Sequence, residues 1–254
     1  MSGRLVSIFR HPVKGLSPEM LENVALEPKG SLPNDRRYAV EVGASGFDPS
    51  APAHVSKMKF AVLARFPELA RLRTRLQDAS GLFRVEDDHG FGVDVPLDRE
   101  DGRTALARFL EAYLSGSVQA TMRVLEAPRG HMFSDHPQGR VSVLNLASVR
   151  LLEQAVGRPI DPLRFRANLL VDGLTPFEED DWSVGSALRV GELEFRVVSP
   201  IVRCVATHVN PTSGEKDIDL VEQLRTVFDR TTMGTYLAVA RGGLLKVGDE
   251  MKAS

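Results

Sequence analysis

Short apolar segments separated by turn-forming residues dominate this sequence. Each segment is rich in β-branched or aromatic side chains, and Gly, Pro, Asn or Asp stands at its borders, as is usual between strands. They cover residues 5–9, 24–26, 37–42, 91–95, 122–125, 141–144, 169–171, 193–198 and 236–239. The pattern therefore predicts a mainly β fold.

Three segments have helical periodicity instead. Their apolar residues recur three or four positions apart, which places them on one face of a helix. They are Leu106, Phe109, Leu110, Tyr113 and Leu114; then Val149, Leu152 and Val156, followed by the stop signals Gly157 and Pro159; and Ile218, Val221, Leu224 and Phe228, with Asp217 as the expected N-cap. A few helices outside the sheets make the expected class α+β, with β structure prevailing.

A break in the pattern suggests two domains. Residues 98–125 indicate a helix and then a strand, and the following Ala-Pro-Arg-Gly at 127–130 interrupts regular structure. We therefore expect one domain at 1–125 and another at 126–254. The polar, proline-containing stretch 43–56 is expected to be a long loop.

Composition narrows the possible functions. The net charge is −2, with no basic run of the kind that binds nucleic acid. Neither an export signal nor an apolar stretch of about 20 residues is evident, so the expected location is cytoplasmic, without membrane insertion. A single cysteine rules out an internal disulfide, a CxxC zinc site and an all-cysteine iron–sulfur cluster within the chain.

Two basic stretches near the N-terminus could meet an anion. In RHPVKG at 10–15, a proline and a glycine fix a turn that holds Lys14 directly after a predicted strand. A solvated surface lysine is the alternative interpretation. In LPNDRRY at 32–38, strand alternation must turn either Arg36 or Arg37 inward. An inward arginine needs a counter-anion, which could be Asp35 or a bound phosphate.

Two later stretches combine polar and apolar residues. In LRFRANLLV at 163–171, alternation would place Arg164, Arg166 and Asn168 on one face, suited to a phosphate and to the edge of a heterocycle. Structural salt bridges to the acidic residues at 178–181 are the alternative. In VRCVAT at 202–207, Cys204 stands on or at the end of a strand, and a lone cysteine among apolar residues is often an inert core residue.

Four motifs in order resemble the MOSC family. They are HPVKG, DRRY, RFRANLLVDG with the following PFEEDDW, and RCVATHVNPTSGEKD. Within the family, the chain is most similar to the branch with the mitochondrial amidoxime-reducing component and the bacterial N-hydroxy-compound reductase of the YcbX type. The resemblance spans residues 5–247. It implies an N-terminal β-barrel-like region packed against a MOSC β-barrel.

The resemblance also implies a molybdenum cofactor, in which the dithiolene of a phosphate-bearing pterin holds the metal. Cys204 matches the metal-ligating cysteine and is the implied catalytic residue. The implied cofactor-binding residues are Lys14, Gly15, Arg36, Arg166, Asn168, Arg203 and Tyr236. Gly15 stands where close relatives carry serine, and Ala167 replaces a proline.

The implied activity is removal of oxygen from small N-hydroxylated substrates. The chain lacks the ferredoxin domain of the YcbX type, so the expected electron donor is a separate flavoprotein, ferredoxin or cytochrome. A second hypothesis is a cofactor carrier or sulfur-transfer protein, in which Cys204 holds a persulfide. A third is a structural protein without a cofactor.

Overall fold

The computed structural model describes residues 2–253, most of whose regular structure is β. The strands are β1 Ser2–Arg10, β2 Glu19–Leu21, β3 Asn23–Leu26, β4 Tyr38–Val42, β5 Arg73–Gln77, β6 Leu82–Glu86, β7 Gly92–Pro96, β8 Met122–Glu126, β9 Val141–Asn145, β10 Leu169–Asp172, β11 Ala187–Val190, β12 Leu193–Val202, β13 Thr232–Arg241, β14 Gly243–Lys246 and β15 Glu250–Ala253. The α-helices are α1 Glu100–Tyr113, α2 Leu146–Val156 and α3 Leu220–Phe228. The predicted class is confirmed, and each predicted strand and helix overlaps an observed one.

Seven strands close into a barrel. Their order is β1, β10, β9, β13, β12, β11 and β15, and β15 pairs with β1 to complete the ring. β9 and β10 are parallel and are joined through α2, whereas the other pairs are antiparallel. A closed ring leaves no unpaired edge, because every strand has two neighbours.

Aliphatic and aromatic side chains fill the barrel. Leu5, Ile8, Leu169, Phe195 and Leu237 are fully buried in one cluster. Phe195 alone would cost about 3 to 5 kcal/mol if truncated to alanine, which is the usual range for a buried aromatic side chain. The barrel is thus a packed scaffold, and the residues at its rim are held in place by this core.

The first half of the chain builds a second core beside the barrel. β4 pairs with β8, while β5, β6 and β7 form a meander. α1 covers these sheets with Leu106 and Leu110, which pack in the same cluster as Phe83 and Leu97. However, β1 belongs to the barrel, and Val24 and Leu26 of β3 also pack in the barrel core, so the chain passes between the two cores more than once before β4. The division at 125/126 remains a prediction.

The ends of the helices follow the capping rules. Asn145 caps α2 by accepting a hydrogen bond from the backbone N–H of Ala147, and Gly157 ends it in a left-handed conformation, as predicted. The predicted N-cap of α3 was wrong: Asp219, not Asp217, accepts from the N–H of Glu222. Asp217 is instead paired with Arg164, and an apolar periodicity cannot reveal such a distant partner.

None of the helices within residues 2–253 combines the length and apolar character needed to cross a membrane.

Candidate functional site

A cavity of about 440 Å³ lies where the barrel meets the first half of the chain. Seven of the eight predicted site residues line it: Lys14, Gly15, Arg36, Arg166, Arg203, Cys204 and Tyr236. A second cavity of about 530 Å³, between residues 31–37 and 126–132, contains none of them. The fold therefore brings together residues from both ends of the sequence.

Lys14 is buried at the wall of this cavity. The turn after β1 places its backbone N–H 2.8 Å from the carbonyl of Tyr38, which fixes the residue between the two cores. Its Nζ donates to the carbonyl of Phe133 at 2.9 Å and to the Oδ1 atom of Asp135 at 2.5 Å. Burial lowers the pKa of Lys14, and the nearby Asp135 carboxylate opposes that shift.

Gly15 is required by its surroundings. Its φ of +90° lies in the region that favours glycine, and a β-carbon there would come within 2.1 Å of the carbonyl oxygen of Ala61. This contact gives a physical reason why the chain has no serine at this position.

Arg36 and Arg166 both adopt a left-handed backbone conformation, with φ of 48° and 53°. Such a conformation costs a non-glycine residue about 1 to 3 kcal/mol and is common at functional sites. Arg36 forms an ion pair with Asp35 and donates to the carbonyl of Arg166 at 2.9 Å. The prediction that one of two adjacent arginines turns inward is confirmed, since the Arg36 side chain is 14% exposed and that of Arg37 is 42% exposed.

Arg166 has no carboxylate within 4.0 Å among the described residues, and its guanidinium donates to the carbonyl of Leu16 at 2.8 Å. Burial, together with the charge of Arg36, lowers the pKa of Arg166 to about 9. The cavity wall therefore holds a positive charge that forms no direct ion pair among the residues the structure describes.

Arg203 and Cys204 follow the end of β12. The buried guanidinium of Arg203 donates to the carbonyls of Met233 at 2.7 Å and Phe165 at 2.9 Å, and burial lowers the pKa of Arg203 to about 10. A β-carbon at Gly234 would lie 2.4 Å from the carbonyl of Val143 and 3.0 Å from the Nη2 atom of Arg203. A glycine is thus needed for the arginine to pack there.

Cys204 begins a short 3-10 turn, Val205–His208, and is partly exposed at the cavity. The Nζ atom of Lys57 lies 3.2 Å from its sulfur. An inert core position for this cysteine is therefore excluded, because its neighbours include a charged ammonium group and a cavity.

Lys57, Asp135 and Arg140 are charged residues of the cavity that the sequence patterns did not indicate. The Oδ2 atom of Asp135 is 3.3 Å from the Nζ atom of Lys57, so the carboxylate bridges Lys57 and Lys14. Burial opposes the charged form of Lys57, but Asp135 and then Cys204 outweigh it and raise the pKa of Lys57. The one available signal was the position of Lys57 directly after the predicted loop 43–56.

Tyr236 reaches the cavity from β13. Its ring is partly buried and lies 5.0 Å from the ring of His136, in an edge-on arrangement. Burial raises the pKa of Tyr236, and the charge of Asp135 adds to the shift. The hydroxyl group therefore stays protonated near neutral pH.

Asn168 is the predicted site residue that does not line the cavity. Its side-chain oxygen accepts from the backbone N–H of Ser142 at 3.1 Å, and its amide donates to the carbonyl of Phe9 at 3.1 Å. The strand alternation assumed for residues 164–168 was wrong, because Pro162–Phe165 is a 3-10 turn and Arg166 is left-handed. The cofactor contact of Asn168 remains a prediction.

Arg164 also differs from expectation. It pairs with Asp217 at 2.7 Å and donates to the carbonyl of His208 at 2.9 Å, whereas the alternative interpretation named the acidic residues at 178–181 as its partners. It thus ties the turn before β10 to the segment after Cys204.

The cavity is strongly cationic. In the part of the chain that the structure describes, one carboxylate, that of Asp135, lines it together with seven cationic side chains: Lys14, Arg36, Lys57, Arg140, Arg164, Arg166 and Arg203. Within residues 2–253, no three His, Cys, Asp or Glu side chains are grouped so that they could hold a metal ion. A metal at Cys204 would therefore need further ligands from a bound molecule.

The closed barrel and the thiol-containing cavity together define the class: a β-barrel protein whose cationic cavity has the size of a small-molecule binding site. Known families match nearly the whole chain: the MOSC N-terminal beta barrel domain matches residues 2–121, and the MOSC domain matches residues 128–252. The chain belongs to the MOSC family.

The curated relatives include two kinds of protein. A molybdenum cofactor sulfurase from Caenorhabditis briggsae is 26% identical over 92% of this chain and 33% of that protein. A mitochondrial amidoxime-reducing component 1 from Xenopus laevis is 28% identical over 65% of this chain and 55% of that protein. The chain spans about one third of the sulfurases it matches. The name of the first relative refers to molybdenum cofactor, and the name of the second refers to amidoxime reduction.

Among solved structures, the YUAD protein from Bacillus subtilis is similar, with a TM-score of 0.47 and 11% identity over 99% of this chain and 94% of that chain.

Proposed function

We propose that this chain binds molybdenum cofactor in the cationic cavity and reduces N-hydroxylated compounds, with electrons from a separate protein. One observation carries the proposal: the sulfur of Cys204 faces a cavity that seven cationic groups and one carboxylate line. A thiol, a surplus of positive charge and an enclosed volume are what a metal-bearing, phosphate-bearing ligand requires.

The residues present fit such a group. Arg166 and Arg203 have no carboxylate within 4.0 Å among the described residues and donate to backbone carbonyls. Buried charges without a counter-ion are costly, and a phosphate dianion would remove that cost. The volume of about 440 Å³ also lies within the usual range for small-molecule sites. A sulfur-rich metal centre prefers a thiolate ligand, and Cys204 is the one cysteine in the chain.

Each residue then has a defined part. Lys14, Arg36 and Arg166 would hold the pterin phosphate by charge-assisted hydrogen bonds. Arg203, Tyr236 and the open backbone at Gly15 would contact the rest of the cofactor, and Cys204 would bind the metal. When bound, the cofactor supplies the two-electron chemistry that the side chains of this chain lack.

The overall reaction is balanced by an external donor. R–NHOH, two electrons and two protons give R–NH2 and water as the N–O bond breaks. The electrons would come from a flavoprotein, ferredoxin or cytochrome. The buried side chains of Val62, Leu63 and Phe165 line the same cavity and would exclude water from its inner wall.

The experiment uses protein made in a host that synthesises the cofactor. Metal analysis and pterin fluorescence should find molybdenum and molybdopterin, and reduced viologen should support conversion of benzamidoxime to benzamidine. Cys204→Ser should remove the activity. Protein that carries neither metal nor pterin, or that holds both and is inactive on several N-hydroxy compounds, would count against the proposal.

The chain offers a matched control for the cations. Arg36→Ala should weaken pterin retention by about 1 to 3 kcal/mol, the scale of a lost charge-assisted hydrogen bond. The neighbouring Arg37 pairs with Glu126 outside this cavity, so Arg37→Ala should leave retention unchanged. Equal effects of the two substitutions would contradict the assignment.

The second candidate is sulfur transfer or cofactor carriage. The similarity to sulfurases over 92% of this chain favours it, as does the partly exposed single thiol. Incubation with a cysteine desulfurase and cysteine should then add one sulfur atom to Cys204, seen by intact mass spectrometry. Unmodified protein that retains a metal would favour the reductase.

A further inference from the structure

Among residues 2–253, Asp135 supplies the one carboxylate that lines the cavity. It bridges two ammonium groups, with Oδ1 2.5 Å from the Nζ atom of Lys14 and Oδ2 3.3 Å from that of Lys57. The Asp135 side chain is 48% exposed, whereas that of Lys14 is 7% exposed. The anion is thus the accessible partner of this ion pair, and the cation is the buried one.

Little besides these ion pairs holds Asp135 in place. Residues 131–140 lie outside the helices and strands, and within residues 2–253 no backbone hydrogen bond involves Asp135. Its neighbour Phe133 is anchored, because its N–H donates to the carbonyl of Arg36 at 2.9 Å and its own carbonyl accepts from Lys14. Lys14 would therefore keep its position if the Asp135 carboxylate moved away.

We infer that Asp135 is an internal counterion, which occupies the anion position between Lys14 and Lys57 and leaves it when a phosphate monoester or carboxylate enters. The inference rests on the proposed function only in treating the cavity as a site for an anionic ligand. Its consequence is selectivity by charge. A monoanion that replaces Asp135 only substitutes one negative charge for another beside the two lysines. A dianion brings one additional negative charge, and the lysines attract that charge as well.

Displacement and fixed repulsion have different signatures. If Asp135 is displaced, each entering anion gives up the same Asp135–lysine attraction. Removing the carboxylate then strengthens the binding of a monoanion and a dianion by the same factor. If Asp135 instead stays in place and repels the ligand, the repulsion energy for a dianion is about twice that for a monoanion. A tenfold gain for the monoanion would then be accompanied by roughly a hundredfold gain for the dianion.

The test measures binding of phenyl phosphate and benzoate, which share a ring and differ in charge. The protein, purified without cofactor, is titrated by calorimetry in low-salt buffer at pH 8, where phenyl phosphate is a dianion. Asp135→Asn should strengthen binding of both ligands by the same factor, on the order of tenfold, as expected for the loss of one charge-assisted contact. Asp135→Ser, a second variant, should behave alike.

Asp88→Asn is the control, because it removes the same charge from an ion pair with Arg71 outside the cavity. It should leave both affinities unchanged. No gain in either Asp135 variant, or a gain for phenyl phosphate that greatly exceeds the gain for benzoate, would overturn the inference. Molybdenum and pterin content test the proposed function separately, so either proposal can fail without the other.

Discussion

Replacing Arg166 with methionine should stabilise the ligand-free protein. Burial in the cavity wall and the neighbouring charge of Arg36 lower the pKa of Arg166 from its ordinary 12.5 to about 9. At about 1.4 kcal/mol per pKa unit, that difference corresponds to at most about 5 kcal/mol of unfavourable charging. Solvent screening at this partly exposed side chain reduces the cost to roughly half.

The substitution also removes a favourable contact. The guanidinium donates to the carbonyl of Leu16 at 2.8 Å, and the loss of that bond costs about 1 kcal/mol. Methionine has a similar length and faces the same backbone strain at a φ of 53°, so the strain cancels in the comparison. The net expectation is a gain of about 1 to 2 kcal/mol in the free energy of unfolding, or roughly 2 to 8 °C in Tm.

Urea unfolding and calorimetry in phosphate-free, low-salt buffer measure this change. Arg150→Met is the control, because Arg150 pairs with Asp172 at the surface, and its effect should stay within about 0.5 kcal/mol. Adding sulfate should stabilise the wild type more than Arg166→Met. A loss of more than about 1 kcal/mol in Arg166→Met would refute the reasoning, because Arg166 would then be a compensated structural charge rather than one awaiting an anion.

Three further expectations concern other parts of the molecule. Cys204→Ser should abolish molybdenum retention yet change the free energy of unfolding by less than about 1 kcal/mol, since the side chain borders a cavity. Urea denaturation measures this free energy, and a larger loss would show that the side chain belongs to the core. Burial lowers the pKa of His11 to about 3, below its unfolded value of 6.5, so the unfolded state alone is protonated in that window. Stability should therefore fall as the pH drops from about 6.5 toward 3, by up to about 1.4 kcal/mol per pH unit, and the slope should be smaller in His11→Phe. Gly15→Ser should destabilise the protein by more than about 3 kcal/mol, because the new β-carbon would meet the Ala61 carbonyl. Gly43→Ser should cost about 1 kcal/mol, because a β-carbon there meets nothing within 4 Å. Equal melting temperatures of the two variants would contradict this expectation.

The strands and helices were predictable because their signals are local. Alternation, helical periodicity and turn residues depend on neighbours in the sequence, and they located the barrel strands around Leu5 and Phe195 and the C-cap at Gly157. The strands β2, β5, β6, β11, β14 and β15 were missed because each is only three to five residues long and contains charged residues. Their pairing depends on neighbours far along the chain.

The site was predictable only in part. The motifs located Lys14, Arg36 and Cys204, which the fold does bring to one cavity. Lys57 and Asp135 escaped notice because neither belongs to a recognisable motif, and their contact joins segments that are far apart in sequence.

The misplacement of Asn168 has a geometrical origin. Strand alternation was applied to residues that form a turn, and the left-handed Arg166 rotates the chain before β10 begins. Asn168 consequently points toward Ser142 and Phe9 and joins three barrel strands.

The pairing of β1 with β15 constrains how the protein is made. Residues 2–4 meet partners at 250–252, so the ring cannot close before residue 252 has left the ribosome. Until then β1 has an unpaired edge, which is open to wrong pairing with other nascent chains. Lys14 and Tyr236 likewise come together only after residue 236 has left the ribosome, so a cofactor that needs both can be loaded only after that point.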